Sequence, residues 1–357
     1  MRVAVRLFVA SLAAVAMAGC DSGTRRERPA AGSGSVGSTP NGTIAFARWD
    51  GDVAGVWMMH ADGSRQRRLA PKRDAWAWGG FVWSPDGKQF AFTATAKGVG
   101  EERSFEHGEL FVMSADGSGL RRLTWTRHAG GQNFNVAADW FPDGRRILFD
   151  RNDDGPAGIY VINADGSGER RLTKARWGPR DPSLSPDART IAYIDDDDVY
   201  LMNADGSGRR RLARMPPAWF PQLAWSPDGR KIAVLDREVW LMNTDGSGLR
   251  AIIRSLRLSG FAWAPDGRRF AVALREQPRG DFQIWVVNAE GGGKRKLTSA
   301  PGGNESPAWS PDGAWIAFTS NRDGNAEIYV MRADGSGQRR LTHNESDDVA
   351  PVWSPTK

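Results

Sequence analysis

Residues 306–342 read SPAWSPDGAWIAFTSNRDGNAEIYVMRADGSGQRRLT, and this stretch decides the fold. Ser306 to Ser310 is a short run carrying Trp309, strand a, closed by the turn Pro311-Asp312-Gly313. Ile316 to Thr319 forms strand b, and Asn321 to Asn325 is a loop. Glu327 to Met331 forms strand c, Asp334-Gly335 the next turn, and Arg339 to Thr342 strand d. Short β-branched and aromatic runs between Asp-Gly turns are hairpin signals, because glycine takes a positive φ at no steric cost. No helical period is sustained anywhere in the repeat region.

Working outward, variants of the same sentence recur, with the acidic residue of A-D-G-S-G at Asp62, Asp116, Asp165, Asp205, Asp245, Glu290 and Asp334. The intervals are 54, 49, 40, 40, 45 and 44 residues, the length of one four-stranded propeller blade. Strand c is apolar on both faces, as in Val199-Tyr200-Leu201-Met202, so it is sandwiched between neighbours. Strand a carries Trp at 83, 140, 225, 263, 309 and 353, with Leu184 in the remaining unit, and these rings read as packing between blades. The first unit starts at Pro40-Asn41-Gly42 without a strand a, and Val352-Trp353-Ser354-Pro355 is a strand a with no blade after it. The expectation is an all-β, seven-bladed propeller over residues 41–357, its first blade completed by the C-terminal strand.

Ahead of the repeats, residues 1–19 have the form of a secretory signal: Arg2 and Arg6 precede a short apolar core from Leu7 to Met17. Met17-Ala18-Gly19-Cys20 resembles the lipobox of bacterial lipoproteins, and Cys20 is the single cysteine of the chain. Cys20 is therefore expected to carry the lipid that binds the protein to a membrane. Residues 20–40 are a Gly/Ser/Pro-rich tether. Export makes nucleic acid an unsuitable partner in spite of the formal charge of +6. Strand d opens with arginine doublets, such as Arg67-Arg68, Arg121-Arg122, Arg170-Arg171 and Arg339-Arg340. On the outermost strand of each blade they are expected to keep exposed edges from pairing, with attraction to anionic polymers the second reading.

Propeller topology puts the a–b and c–d turns on one face and the b–c and d–a loops on the other. The first set is nearly uniform; the second varies, and function concentrates where loops vary. The largest insertions, 97–108 and 125–138, contain Arg103, Glu106, His107, Trp125, His128, Asn133 and Asn135. Other loops of that face add Trp177, Arg180, Trp219, Phe220, Asn304, Glu305, Asn344, Glu345 and Asp347. Aromatic rings beside Arg, Asn and Glu suit recognition of a protein or a glycan. The acidic runs Asn152-Asp153-Asp154 and Asp195 to Asp198 read as solvated hairpins, because consecutive strand residues point to opposite sides and cannot share one Ca²⁺. The four histidines, His60, His107, His128 and His343, accompany no H-E-x-x-H or G-x-S-x-G motif. No metal, no cofactor and no catalytic set is expected. The alternative is a lyase or hydrolase acting on an envelope polymer through His107 or His128.

The repeat W-S-P-D-G…I-A-F…Y-V-M-N-A-D-G-S-G-x-R-R-L-T across residues 41–357 resembles the WD40-like PD40 repeat of TolB-family propellers, found also in prolyl-oligopeptidase-like and tricorn proteases. The resemblance implies a propeller that binds protein partners in the cell envelope. TolB proteins work in the periplasm and carry an α/β domain before a six-bladed ring, whereas the repeat count here implies seven blades. The expected molecule is a monomeric, lipid-anchored, extracytoplasmic lipoprotein whose partner is an envelope protein or a cell-wall glycan.

Overall fold

The computed structural model describes residues 40–50, 53–69, 75–96, 107–126, 133–152, 157–173, 178–216, 222–254, 258–277 and 279–355. The signal, Cys20 and the tether lie outside these residues. The described residues contain strands and turns and no helix. Each unit is an antiparallel ladder in the order a-b-c-d, and the last one spans Asn304–Trp309, Trp315–Ser320, Glu327–Arg332 and Arg339–Arg340. Seven such ladders are present among the described residues. Two of them, the second and third, join through a short parallel pairing of His107 with Asn133 and Gly108 with Phe134.

The core is divided among the seams. Among the described residues, seven separate apolar clusters occur, each drawn mainly from two neighbouring units. The seam between units 3 and 4, for example, packs Leu148, Ile159 and Val161 against Ile191, Tyr193 and Met202. Both faces of every blade are therefore buried, which is why strand c does not alternate in hydropathy. One cluster joins the last unit to the first: Trp315, Ala317 and Val330 pack on Ile44, Phe46, Met59 and Trp353.

Closure is a strand pairing. Asp347–Trp353 lies antiparallel to Thr43–Asp50, with Trp353 opposite Ile44 and Val352 opposite Ala45. Ser354 N–H then donates to Thr43 C=O at 2.9 Å. Gly63 seals the same seam from above. Its φ is +89°, and a Cβ there would stand 3.0 Å from the Leu341 carbonyl oxygen of the last unit.

Several of the strand-d arginines are tied into the structure as well as standing on its exposed edge. In several units the first basic residue of strand d reaches forward to the c–d turn of the next unit. Arg67 donates to Ala115 and Asp116 carbonyls at 2.7 Å each, and Arg170 to Asp205 at 2.8 Å. Arg295 donates to Asp334 at 3.1 Å, and Arg339 closes the series on Ala61 and Asp62 at 3.4 Å. The turn face is otherwise self-satisfied. In Ala115-Asp116-Gly117-Ser118, the Asp116 carboxylate accepts both Ser118 N–H and Ser118 Oγ–H, and the same pattern recurs at Asp165, Asp205, Asp245 and Asp334. These bonds from serine hold the five carboxyls below their ordinary range.

Candidate functional site

On the loop face, one polar circuit is built at three seams. It begins with a carboxylate or amide at or near the start of strand c. Glu109 is buried and accepts from Arg122 Nη2 at 2.8 Å, from Thr126 N–H at 2.8 Å, from Asn135 Nδ2 at 3.1 Å and from Thr124 Oγ1. Asn135 in turn accepts from Arg151 Nε at 2.7 Å, and Arg151 lies over the Tyr160 ring at 4.4 Å. At the seam of units 6 and 7, Gln283 accepts from Thr298 Oγ1 at 2.7 Å and from Asn304 Nδ2 at 3.1 Å, and Asn304 accepts from Arg322 at 2.6 Å. At the closing seam, Glu327 accepts from Arg340 at 2.5 Å and from Asn344 N–H at 2.9 Å. Asp348 there takes Arg48 in a fork, at 2.6 and 2.7 Å.

The cause lies in strand chemistry. A threonine at the end of strand d donates its hydroxyl to the strand-c residue while its oxygen accepts a strand-c N–H, as Thr124 does from Leu110 and Thr298 from Ile284 at 2.9 Å each. That fixes the threonine inward, so the residue after it must point outward. At this position stand Trp125 and His343, both exposed. Trp125 is 70 % exposed, the one large hydrophobic residue exposed among the described residues. Arg122 lies over one face of its ring at 4.1 Å, and Arg122 is itself held by Glu109 and by Thr124 C=O at 2.7 Å. The indole is thus a platform fixed from beneath and open above.

The structure separates the other expected residues into two groups. Asn135 and Asn304 are fully buried and Glu305 nearly so, and all three are bonded within the protein, so they do not form a recognition surface. Glu305 accepts from Ser259 Oγ at 2.6 Å, and burial, opposed by that bond and by Arg275, pushes its carboxyl up to about 7. Asn344 donates to Asp348 at 2.8 Å, and Asp347 accepts from Ala326 N–H at 2.8 Å. Arg180 donates to Asp197 at 3.1 Å across the acidic hairpin, while Glu345 is exposed. In that hairpin, Asp196 and Asp197 take φ of +48° and +66°, and Asp195 and Asp198 pair with Arg209 and Arg211. Only the backbones of His107 and Asn133 are described. Arg103, Glu106, His128, Trp177, Trp219 and Phe220 lie outside the described residues. His60 is exposed at the end of its strand.

The inner ends of the seams are linked in different ways. In three units the strand-a tryptophan donates Nε1–H to the inner strand of the preceding unit: Trp140 to Val82 at 3.2 Å, Trp225 to Ser183 at 3.1 Å and Trp353 to Ala308 at 3.0 Å. Unit 4 has Leu184 instead and no indole to give. There Asp139, from unit 3, accepts Leu184 N–H at 2.8 Å, a link of the opposite polarity at the same height. Burial, opposed by the bonds from Leu184 and Ser183, pushes Asp139 up to about 7. Asp150 and Asp181 face each other across this seam. Burial raises both, Asp150 well above the carboxylate range and Asp181 to about 7.

Residues 198–357 match the family model described as the TolB beta propeller domain. The fold is shared with TolB from Acinetobacter baumannii, at TM-score 0.55 and 14% identity over 88% of this chain and 82% of that one. It is shared with a puromycin hydrolase at TM-score 0.65 and 16% identity, covering 95% of this chain and 55% of the hydrolase. An oligogalacturonate lyase from Vibrio parahaemolyticus matches at TM-score 0.58 and 14% identity, over 78% of this chain and 82% of that chain. Identities at this level speak for the fold alone.

Proposed function

We propose that this chain, a TolB-like β-propeller, is an exported lipoprotein that acts as a non-catalytic platform, holding an envelope protein on its loop face. In this reading residues 1–19 are removed as a signal, Cys20 carries the lipid, residues 20–40 are the tether and 41–357 the ring. The observation that supports it is the contrast between the faces. The turn face spends its polar groups on its own turns, while the loop face presents Trp125 on a guanidinium that cannot move away. An aromatic residue fixed beside an arginine is the usual anchor of a protein contact. A glycan stacking on the same ring is the narrower alternative.

The test compares the intact protein with Trp125→Ala in pull-downs from detergent-solubilised membranes. Trp125 is solvated, so the substitution should leave the unfolding midpoint unchanged while the captured partner is lost. Retention of the same partner removes Trp125 from the contact. Turnover of an envelope polymer that disappears in His107→Ala/His128→Ala replaces the platform with an enzyme. Replacement of Cys20 by Ala should release the protein from the membrane fraction, and release of the wild type in the same wash would refute the lipid.

A further inference from the structure

In five units the second residue of strand d is an arginine, Arg68, Arg122, Arg171, Arg211 or Arg340, whose guanidinium lies against the start of strand c. Arg122 donates Nε–H to Thr124 C=O at 2.7 Å and Nη2–H to Glu109 at 2.8 Å. Arg340 repeats this fork on Thr342 C=O and Glu327, at 2.6 and 2.5 Å, and Arg211 donates to Asp198 at 3.2 Å. In units 1 and 3 the strand-c residue is a glycine, and the guanidinium takes the room of its side chain. A Cβ on Gly55 would stand 3.0 Å from Arg68 Nη2, and one on Gly158 would stand 3.1 Å from Arg171 Nε.

Unit 6 departs from this pattern. Lys296 stands in the place of the arginine and Gln283 in the place of Glu109 and Glu327. Lys296 Nζ goes instead to Glu276 of the b–c loop, at 3.2 Å, and lies 5.5 Å from the centre of the Trp285 ring. An ammonium is a point charge and cannot span two acceptors as the planar fork does. Gln283 is buried and spent within the protein: it accepts from Thr298 and Asn304, and donates to Ala300 C=O at 3.1 Å. A cleft of about 270 Å³ opens here on the loop face, its lining including Gln283, Lys296, Glu276, Asp281 and Pro301. Small-molecule sites run from about 300 to 1,000 Å³, so this one suits a single side chain. Asp281 is fixed there by accepting Gly302 N–H at 2.9 Å. Two carboxylates against one ammonium leave the lining net negative. Unit 5 also lacks the arginine, with Ala251, but Arg254 stands opposite Glu238 in its ladder. Its b–c connection is two residues, against the eight that help to wall the cleft in unit 6.

We infer that this cleft receives an arginine side chain of a partner protein, its guanidinium taking the place that the chain's own arginine holds in five other units. A guanidinium is selected because the same strand c and strand d frame, with Thr298 where Thr124 and Thr342 offer their carbonyls, accommodates that fork elsewhere in the ring. The net negative lining disfavours an acidic side chain. The inference rests on the loop face as a protein-binding surface and adds a charge-selective contact to it.

The experiment is calorimetric titration of the whole chain in detergent with the blocked tripeptide acetyl-Ala-Arg-Ala-amide and with counterparts carrying lysine or citrulline. The arginine peptide should bind, the lysine peptide less tightly, and the neutral citrulline peptide about tenfold more weakly or worse. Lys296→Arg keeps the charge and supplies an internal guanidinium, so it should weaken binding of the arginine peptide by a similar factor. Lys296→Ala leaves the cleft open, and the peptide should bind at least as tightly as to the wild type. Glu276→Gln/Asp281→Asn should weaken binding, and unfolding midpoints keep the variants comparable. No saturable heat with the arginine peptide, equal binding of the citrulline or lysine peptide, or undiminished binding to Lys296→Arg overturns the assignment. The titration reads this cleft without the envelope partner, whereas the Trp125→Ala pull-down reads the platform, so the failure of one is distinct from the failure of the other.

Discussion

Leu184 shows how one substitution in a repeat is absorbed by its neighbour. Where Leu184 stands in place of an indole, Asp139 supplies an acceptor for its N–H, and the seam of units 3 and 4 stays linked. The cost is a carboxyl buried without a cation. Asp139, Asp181 and Glu305, all raised to about 7 by burial, give this protein a pH dependence whose sign can be worked out. Unfolded, these groups release their protons near pH 4. Folded, they keep them until about pH 7. Between those values the native state holds more protons, so stability falls as pH rises. The serine-bonded turn aspartates act in the other sense, losing their contribution only below about pH 4. Urea midpoints should therefore be higher near pH 5 than near pH 8, and Asp139→Asn with Glu305→Gln should flatten that slope. An unchanged slope in the double variant would show that these carboxyls are not its source. Glu327 is the opposite case, a buried carboxylate fully matched by Arg340 and two backbone or side-chain donors. Glu327→Ala removes the buried acceptor of Arg340 Nη2 and of Asn344 N–H, leaving Arg340 only Thr342 C=O and Asp323, and should destabilise by about 3 kcal/mol in urea titrations.

At the scale of the element, each outer strand is only two residues long in most units, too short to hold its place by ladder bonds alone. The forward-reaching arginines compensate by fastening it to the following turn. Each such exposed bond contributes less than about 1 kcal/mol. Arg67→Ala should accordingly cost under that amount, and Arg67→Ala/Arg170→Ala/Arg295→Ala should cost the sum, because the three sites lie in different seams. Midpoints well below additivity would mean that the clamps cooperate around the ring. This role was not legible in the sequence. An R-R doublet reports its own strand, while its acceptors are carbonyls roughly one unit away, 49 residues on for Arg67. The Glu109 and Glu327 circuits were hidden for the same reason, although the 15-residue step from Glu109 to Thr124, repeated from Glu327 to Thr342, was a usable signal. Asn135 and Asn304 were misplaced because loop-flanking asparagines look solvated in a string of letters, whereas strand a packs them against the preceding unit.

For the whole molecule, the repeat interval and the unpaired half-units at 40–46 and 352–355 were sufficient to anticipate the ring and its closing strand. The reason is physical: a blade cannot bury both faces alone, so periodic apolar strands dictate stacking until the first meets the last. Removing residues 347–355 should strip the inner strand from unit 1 and expose the edge of Thr43–Asp50. Size-exclusion chromatography should then show association into dimers or larger species, and a persistent monomer would contradict the closing role. Trp353→Ala, milder, should cost about 3–5 kcal/mol while the chain remains monomeric.

The closing pair also gives the protein an up and a down. Thr43 begins its strand at the turn face, and Ser354 bonds to it there, so the chain before residue 40 enters the ring on that side. If residues 20–40 act as the proposed Gly/Ser/Pro-rich tether, a coil of that length spans roughly 25 Å. With a lipid on Cys20, the uniform turns would look down at the bilayer from that height. Trp125 and its neighbours would then face away from it, turned toward whatever passes overhead.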